Sequence, residues 1–101
     1  MRVSNHAKER LKERNGFNKK CSMRMAKKAF SDGITHSQTK GNLNKWITSL
    51  YFKEERANNI RLYGDKAYIF CGDVLVTVVQ IPNNLMKNFK QRIKERSDKS
   101  V

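Results

Sequence analysis

The residues best suited to chemistry lie near the N-terminus. His6 and Arg10 are spaced i, i+4 and Arg14 continues the stripe, so a helix would place them on one face. An imidazole trades protons near neutral pH, and guanidinium groups beside it hold a phosphate and its developing charge. That grouping suits transfer of an RNA phosphate to its own 2′-hydroxyl, which needs acid–base help and anion stabilisation but no metal. The plainer reading of His6 is an exposed polar residue at a helix start, and His36, in a polar stretch, is a weaker candidate. No carboxylate pair, Gly-rich phosphate loop or Ser/His/Asp arrangement is visible, which leaves most other enzyme classes without a starting point. Cys21 and Cys71 lie fifty residues apart with no CxxC or Cys/His cluster around them. No metal site or other cofactor is therefore expected, and both thiols are expected to be buried in a reducing cytosol.

Charge supplies the second signal. Twenty-two Lys and Arg against nine Asp and Glu leave +13 on 101 residues. Self-repulsion of that size is easiest to understand if a polyanion normally screens it, although a plain solubility charge is the competing reading. The charge is uneven: residues 1–31 carry net +8, residues 32–83 net +1 and residues 84–101 net +4. Lys8, Lys12, Arg14, Lys19, Lys20, Arg24, Lys27 and Lys28 are the candidate nucleic-acid contacts, so RNA, or DNA, is the expected partner. Met1–Asn15 is charged and lacks an apolar run, so no signal peptide is expected. The longest apolar stretch, Val74–Ile81, is too short to span a bilayer. A cytoplasmic protein with no membrane contact is the expectation.

These side chains must be positioned by an α+β domain occupying residues 1–101. Ser4 can cap a helix over about 4–14 that ends at Asn15-Gly16, with Val3, Ala7 and Leu11 at helical spacing. A second helix is predicted over about 19–31, with Cys21, Met25, Ala29, Ala26 and Phe30 on its apolar face. Residues 34–41 read as a polar loop. Leu43, Trp46, Ile47, Leu50 and Tyr51 then predict a helix over about 42–52. From Asn59 the period changes to two, giving strands at 59–63, 67–71 and 74–81 as a three-stranded antiparallel meander. Pro82 ends the last strand, and Asn83 or Asn84 caps a closing helix over about 84–96.

With two-residue loops at Asp65-Lys66 and Gly72-Asp73, one sheet face becomes Ile60, Leu62, Ala67, Ile69, Cys71, Val74, Val76 and Val78, all apolar. The other receives Arg61, Tyr63, Tyr68, Phe70, Leu75, Thr77 and Val79. Such a face is either a nucleotide platform, with Tyr63 and Tyr68 stacking on bases and Arg61 holding phosphate, or a second packing face on which Arg61 snorkels.

Three segments carry a family resemblance: Asn5-His6-Ala7 with Arg10, Asn59-Ile60-Arg61-Leu62-Tyr63-Gly64, and Leu75-Val76-Thr77-Val78. Together they resemble the barnase/EndoU/colicin/RelE-like group of metal-independent ribonucleases, often toxins, with many phage or mobile-element relatives. The resemblance implies a RelE-like fold with a cleft between the first helix and an open sheet face. There His6 would be the acid–base group, Arg10 and Arg61 the phosphate holders and Thr77 a nearby hydroxyl. An acidic antitoxin would be a natural partner. The competing expectation is a non-enzymatic phage or mobile-element nucleic-acid-binding protein that blocks a host defence nuclease complex, in the manner of an anti-CRISPR. A module docking on an acidic protein surface is the third.

Overall fold

In a computed structural model, which describes residues 1–16 and 18–99 and their side chains except at 14, 15, 19 and 96–99, the helices start and stop where local chemistry directs. The first, α1 (Asn5–Asn15), is capped by Ser4, whose hydroxyl accepts the Ala7 N–H at 3.1 Å. That satisfies a donor every helix N-terminus leaves bare. Gly16, at φ 65°, ends it by returning its N–H to the Leu11 and Lys12 carbonyls. The second helix, α2 (Lys19–Asp32), is capped by Asn18, which accepts the Cys21 N–H at 2.8 Å. It stops at Gly33, where a β-carbon would stand 2.7 Å from the Arg61 β-carbon. Only a residue without a side chain lets α2 land this close to the sheet.

Five strands form one mixed sheet in the order β1-β5-β4-β3-β2. The expected meander is its centre: β3 (Asn59–Tyr63), β4 (Lys66–Cys71) and β5 (Val74–Gln80). Two short strands extend it and correct the three-stranded, RelE-like description. At one edge β1 (Arg2–Val3) runs parallel to β5, so Val3, at helical spacing to Ala7 and Leu11, lies in a strand ahead of the helix. At the other, β2 (Ile34–Thr35) pairs antiparallel with β3. The stretch predicted as a loop therefore holds a strand and, at His36–Gln38, a 3-10 turn before α3 (Gly41–Lys53). The last helix, α4, spans Asn83–Lys99.

Register differs from expectation in two places. Tyr63 pairs with Lys66, so the turn is Gly64-Asp65 and not Asp65-Lys66. That is a two-residue slip, which preserves the faces of β3 and β4. The β4–β5 pairing changes more. Phe70 faces Leu75 but Ile69 faces Thr77, leaving Val76 as an extra, bulged residue. Beyond the bulge the faces exchange: Val78 joins Tyr68, and Thr77 and Val79 join the face of Ile69 and Ala67. The bulge coincides with the passage from β1 to α1, since Ser4 donates its N–H to the Leu75 carbonyl (2.9 Å) and its hydroxyl to the Val76 carbonyl (2.7 Å).

Both sheet faces are covered. On one, α1 and α2 bury Ala7, Leu11, Ala26 and Ala29 against Tyr68, Phe70, Leu75 and Val78. On the other, α3 and α4 bury Leu43, Ile47, Leu85 and Phe89 against Ile60, Leu62 and Ile69. The sheet is thus the middle layer of three.

Candidate nucleic-acid interface

Helix α2 shows two faces at helical spacing. Ser22, Ala26 and Ala29 are at most 1% exposed and turn toward the sheet. Lys20, Arg24 and Lys27, at i, i+4 and i+7, are exposed on the outer side. With Met23 these three cations line a surface trough of about 570 Å³. A neighbouring depression of about 360 Å³ is lined by Met1, Arg2, Val3, Ser4, Asn5, Lys8 and again Met23. Met23 lines both, so the two depressions adjoin. Taken together as one trough, the two are lined by five cations, Arg2, Lys8, Lys20, Arg24 and Lys27, and by Met1 and Met23, and no carboxylate is among the described lining residues. Neither described ion pair, Lys66–Asp65 or Arg92–Glu95, involves a trough cation.

Of the predicted binding residues, Lys8, Lys20, Arg24 and Lys27 line the trough, and Lys12 and Lys28 are exposed on the same two helices outside it. The side chains of Arg14 and Lys19 lie outside the described residues. Sequence reasoning missed Arg2, Met1 and Met23. Met23 was recoverable as the i+3 neighbour of Lys20. Arg2 was not, because its place depends on pairing β1 with a strand seventy residues away.

His6 is exposed in the first turn of α1, and Arg10 follows one turn later, half-buried. Arg61 and Thr77 do not join them. Arg61 donates from Nε to Asn59 Oδ1 (3.0 Å) and from Nη1 to the Gly33 carbonyl (3.2 Å), which ties β3 to the end of α2. It stands two strands from β5, over which α1 packs, a separation of about 10 Å. Thr77 is 5% exposed and, paired with Ile69 beyond the bulge, faces the α3/α4 layer on the far side of the sheet.

The open platform expected of the central strands is instead interior. Tyr68 is 1% exposed, and Phe70 and Leu75 are fully buried. Phe30 meets Phe70 edge-on at 5.1 Å between ring centroids. Burial, with smaller contributions from Asp65, Tyr63 and Cys21, pushes the Tyr68 phenol up to about 12. Tyr63 is half-buried beside this core. The physical reason is that α2 must hide its alanine stripe, and this sheet face is what hides it.

Two further groups make structural contacts. Lys66, assigned to a turn from sequence, is 3% exposed and bonds Asp65 Oδ1 at 2.7 Å. That bond is the main cause holding the Asp65 carboxyl below its usual range. His36 donates from Nε2 to the Thr48 hydroxyl (2.9 Å), because that hydroxyl spends its own hydrogen on the Asn44 carbonyl. It also packs at 5.6 Å on the Tyr51 ring, fixing the 3-10 turn to α3. Cys21 and Cys71 are free and half-buried, not buried as expected.

Among the described residues no three His, Cys, Asp or Glu side chains gather as metal ligands, and no helix is long and apolar enough to cross a membrane. No family model matches the chain, and no curated protein or solved structure compared with it is similar enough to count as a match.

Proposed function

We propose that this is an RNA-binding protein whose contact surface is the trough formed by β1, the start of α1 and the outer side of α2. The observation that carries the reading is the set of five cations that line the trough with Met1 and Met23, with no carboxylate among the described lining residues. Cations on such walls take backbone phosphates, and thioether and aliphatic stems take the apolar face of a base. If all five engage, the affinity for single-stranded RNA falls with salt on a log–log slope of about −3 to −4. Replacing Lys20, Arg24 and Lys27 together by Gln removes three contacts and weakens binding about a hundredfold near 0.1 M salt. Binding titrations over a salt series test this, and a slope near zero in the wild type would sink the proposal.

A second reading, metal-independent RNA cleavage, is favoured by one observation: His6 is solvent-exposed one turn from Arg10, at the helix end that opens on the trough. The His6 imidazole would accept the 2′-hydroxyl proton as O2′ attacks phosphorus. The P–O5′ bond then breaks, O5′ takes up a proton and a 2′,3′-cyclic phosphate remains, while Arg10 holds the charge on the phosphoryl oxygens. Arg61 and Thr77 have no part in this version. Incubation with RNA in EDTA, wild type beside His6→Ala, decides it. Cyclic-phosphate ends lost in the variant support cleavage. Intact RNA with undiminished binding leaves the purely binding protein, including the form that shields nucleic acid from a host nuclease.

A further inference from the structure

The trough accounts for the charge on one side of the sheet only. On the other side, α4 turns Leu85 and Phe89 inward and exposes Lys87, Lys90 and Lys94, at i, i+3 and i+7. Exposed Lys40 and Lys45 belong to the same layer, and Asn88 of α4 holds the Lys40 carbonyl at 3.3 Å. Glu95 is taken up by Arg92 at 3.0 Å. The stripe Lys87 to Lys94 is about 10 Å long, matching the span from Lys20 to Lys27 on α2. The two stripes back onto opposite faces of one sheet in a molecule whose principal extents are 34 × 30 × 25 Å. A short strand seated in the trough therefore leaves the α4 lysines facing the other way and unscreened.

Resting on the RNA-binding reading, we propose that α4 is a second, independent site for a phosphodiester backbone and that the protein bridges two nucleic-acid segments, one on each side of the sheet. The sites differ in chemistry. The trough has two arginines and an apolar floor, whereas the α4 stripe consists of lysines, which are compact and strongly hydrated point charges. Bridging is thus the more salt-sensitive activity and disappears at a salt concentration where the trough remains occupied.

The experiment uses the full chain and two non-complementary single-stranded RNA oligonucleotides, one immobilised and one carrying a fluorophore, with matched DNA oligonucleotides as a second arm. Wild-type protein on the immobilised strand captures the labelled one, and Lys87, Lys90 and Lys94 changed together to Gln lower that capture about a hundredfold near 0.1 M salt. The same variant binds the immobilised strand within about threefold of wild type, since the trough contacts are untouched. These substitutions are exposed, and an unchanged circular dichroism spectrum verifies the fold. A variant that captures as well as wild type overturns the proposal, because bridging would then run through self-association or another surface. Wild type that binds the first strand and captures no second overturns it while leaving the trough reading intact. Wild type that binds neither strand overturns both. Capture of RNA but not DNA, or of both alike, identifies which backbone the α4 site takes.

Discussion

The two helical layers of this protein solve the same packing problem in opposite ways. The α1/α2 layer meets the sheet largely through small side chains, Ala7, Ser22, Ala26 and Ala29, all at most 1% exposed, with Leu11 and Phe30 as larger members. The α3/α4 layer uses Leu43, Ile47, Leu50, Leu85 and Phe89 and adds a polar mesh in which Asn44 bonds the His36 and Thr39 carbonyls. Burial stabilises in proportion to apolar area, so the larger side chains make α3/α4 the anchoring layer. The alanine stripe gains close approach instead, which is why Gly33 must lack a side chain beside Arg61. The layer with the greater share of the charge is the one held by less apolar mass. Surfaces that bind are commonly drawn from the less stable parts of a fold.

The largest expected effect tests that asymmetry directly. Phe89→Ala empties a fully enclosed site in the anchoring layer and costs about 3–5 kcal/mol. Ala29→Leu crowds the other layer and costs about 1–3 kcal/mol. Their effects on RNA separate further. If the trough binds RNA as proposed, Phe89→Ala below its unfolding transition loads a short single strand in the trough as wild type does, whereas Ala29→Leu displaces α2 and weakens that loading. Denaturant melts alongside RNA titrations measure both. Equal loading of the trough by the two variants would break the division between the anchoring layer and the layer that carries the trough.

That division was only half legible in the sequence. The charge segregation, the cap at Ser4, the period of α3 and the change to period two at Asn59 are local patterns and correspond to observed elements. β1 and β2 are two residues each and have no period to read, so Val3 showed only its helical spacing to Ala7 and Leu11, and Ile34 read as loop. The bulge at Val76 leaves no mark either, because four valines, a leucine and a threonine occupy Val74–Val79, and residues this rich in β-branched side chains suit either face. That single insertion carried Thr77 to the far side of the sheet and dissolved the expected cleft. Arg61 was ambiguous for another reason: its acceptor, the Gly33 carbonyl, is twenty-eight residues away. Side chains that cover a face are invisible to strand alternation, so a face that is open and one that is covered read alike.

A smaller effect sharpens what covering means for Tyr68. Its phenol is raised from 10.0 to about 12, chiefly by burial under α1 and α2. A group whose folded value exceeds its unfolded one contributes stability fully below the unfolded value and loses it as pH rises through the folded value. The contribution, at most about 2–3 kcal/mol, is therefore present below pH 10 and fades between pH 10 and 12. Tyr68→Phe removes this part of the alkaline loss. Unfolding midpoints across that range, with phenolate absorbance, measure it. An identical alkaline slope in the variant would mean that the α1/α2 layer opens before Tyr68 ionises, and would place its stability lower still.

The smallest effect separates Lys66, a lysine buried in the sheet, from those of the trough. Lys66 pairs across the strands with Tyr63 and Gln80, and its ammonium meets Asp65 at 2.7 Å. Gln80 adds its amide to the Asp65 carbonyl at 2.9 Å and to Oδ2 at 3.2 Å. The Asp65 carboxyl is held below the ordinary aspartate value, so its contribution is present above that value and is lost as pH falls through the depressed one. Asp65 is 54% exposed, and solvent screening holds the contribution to about 0.5–1 kcal/mol. Asp65→Asn should accordingly lower the urea midpoint slightly at neutral pH and leave it unchanged well below the carboxylate range. Lys66→Met should leave the salt dependence of RNA binding as it is, because that charge never faces the trough. A shallower salt slope in Lys66→Met would instead bring the sheet end into the interface and extend the binding layer beyond its two helices.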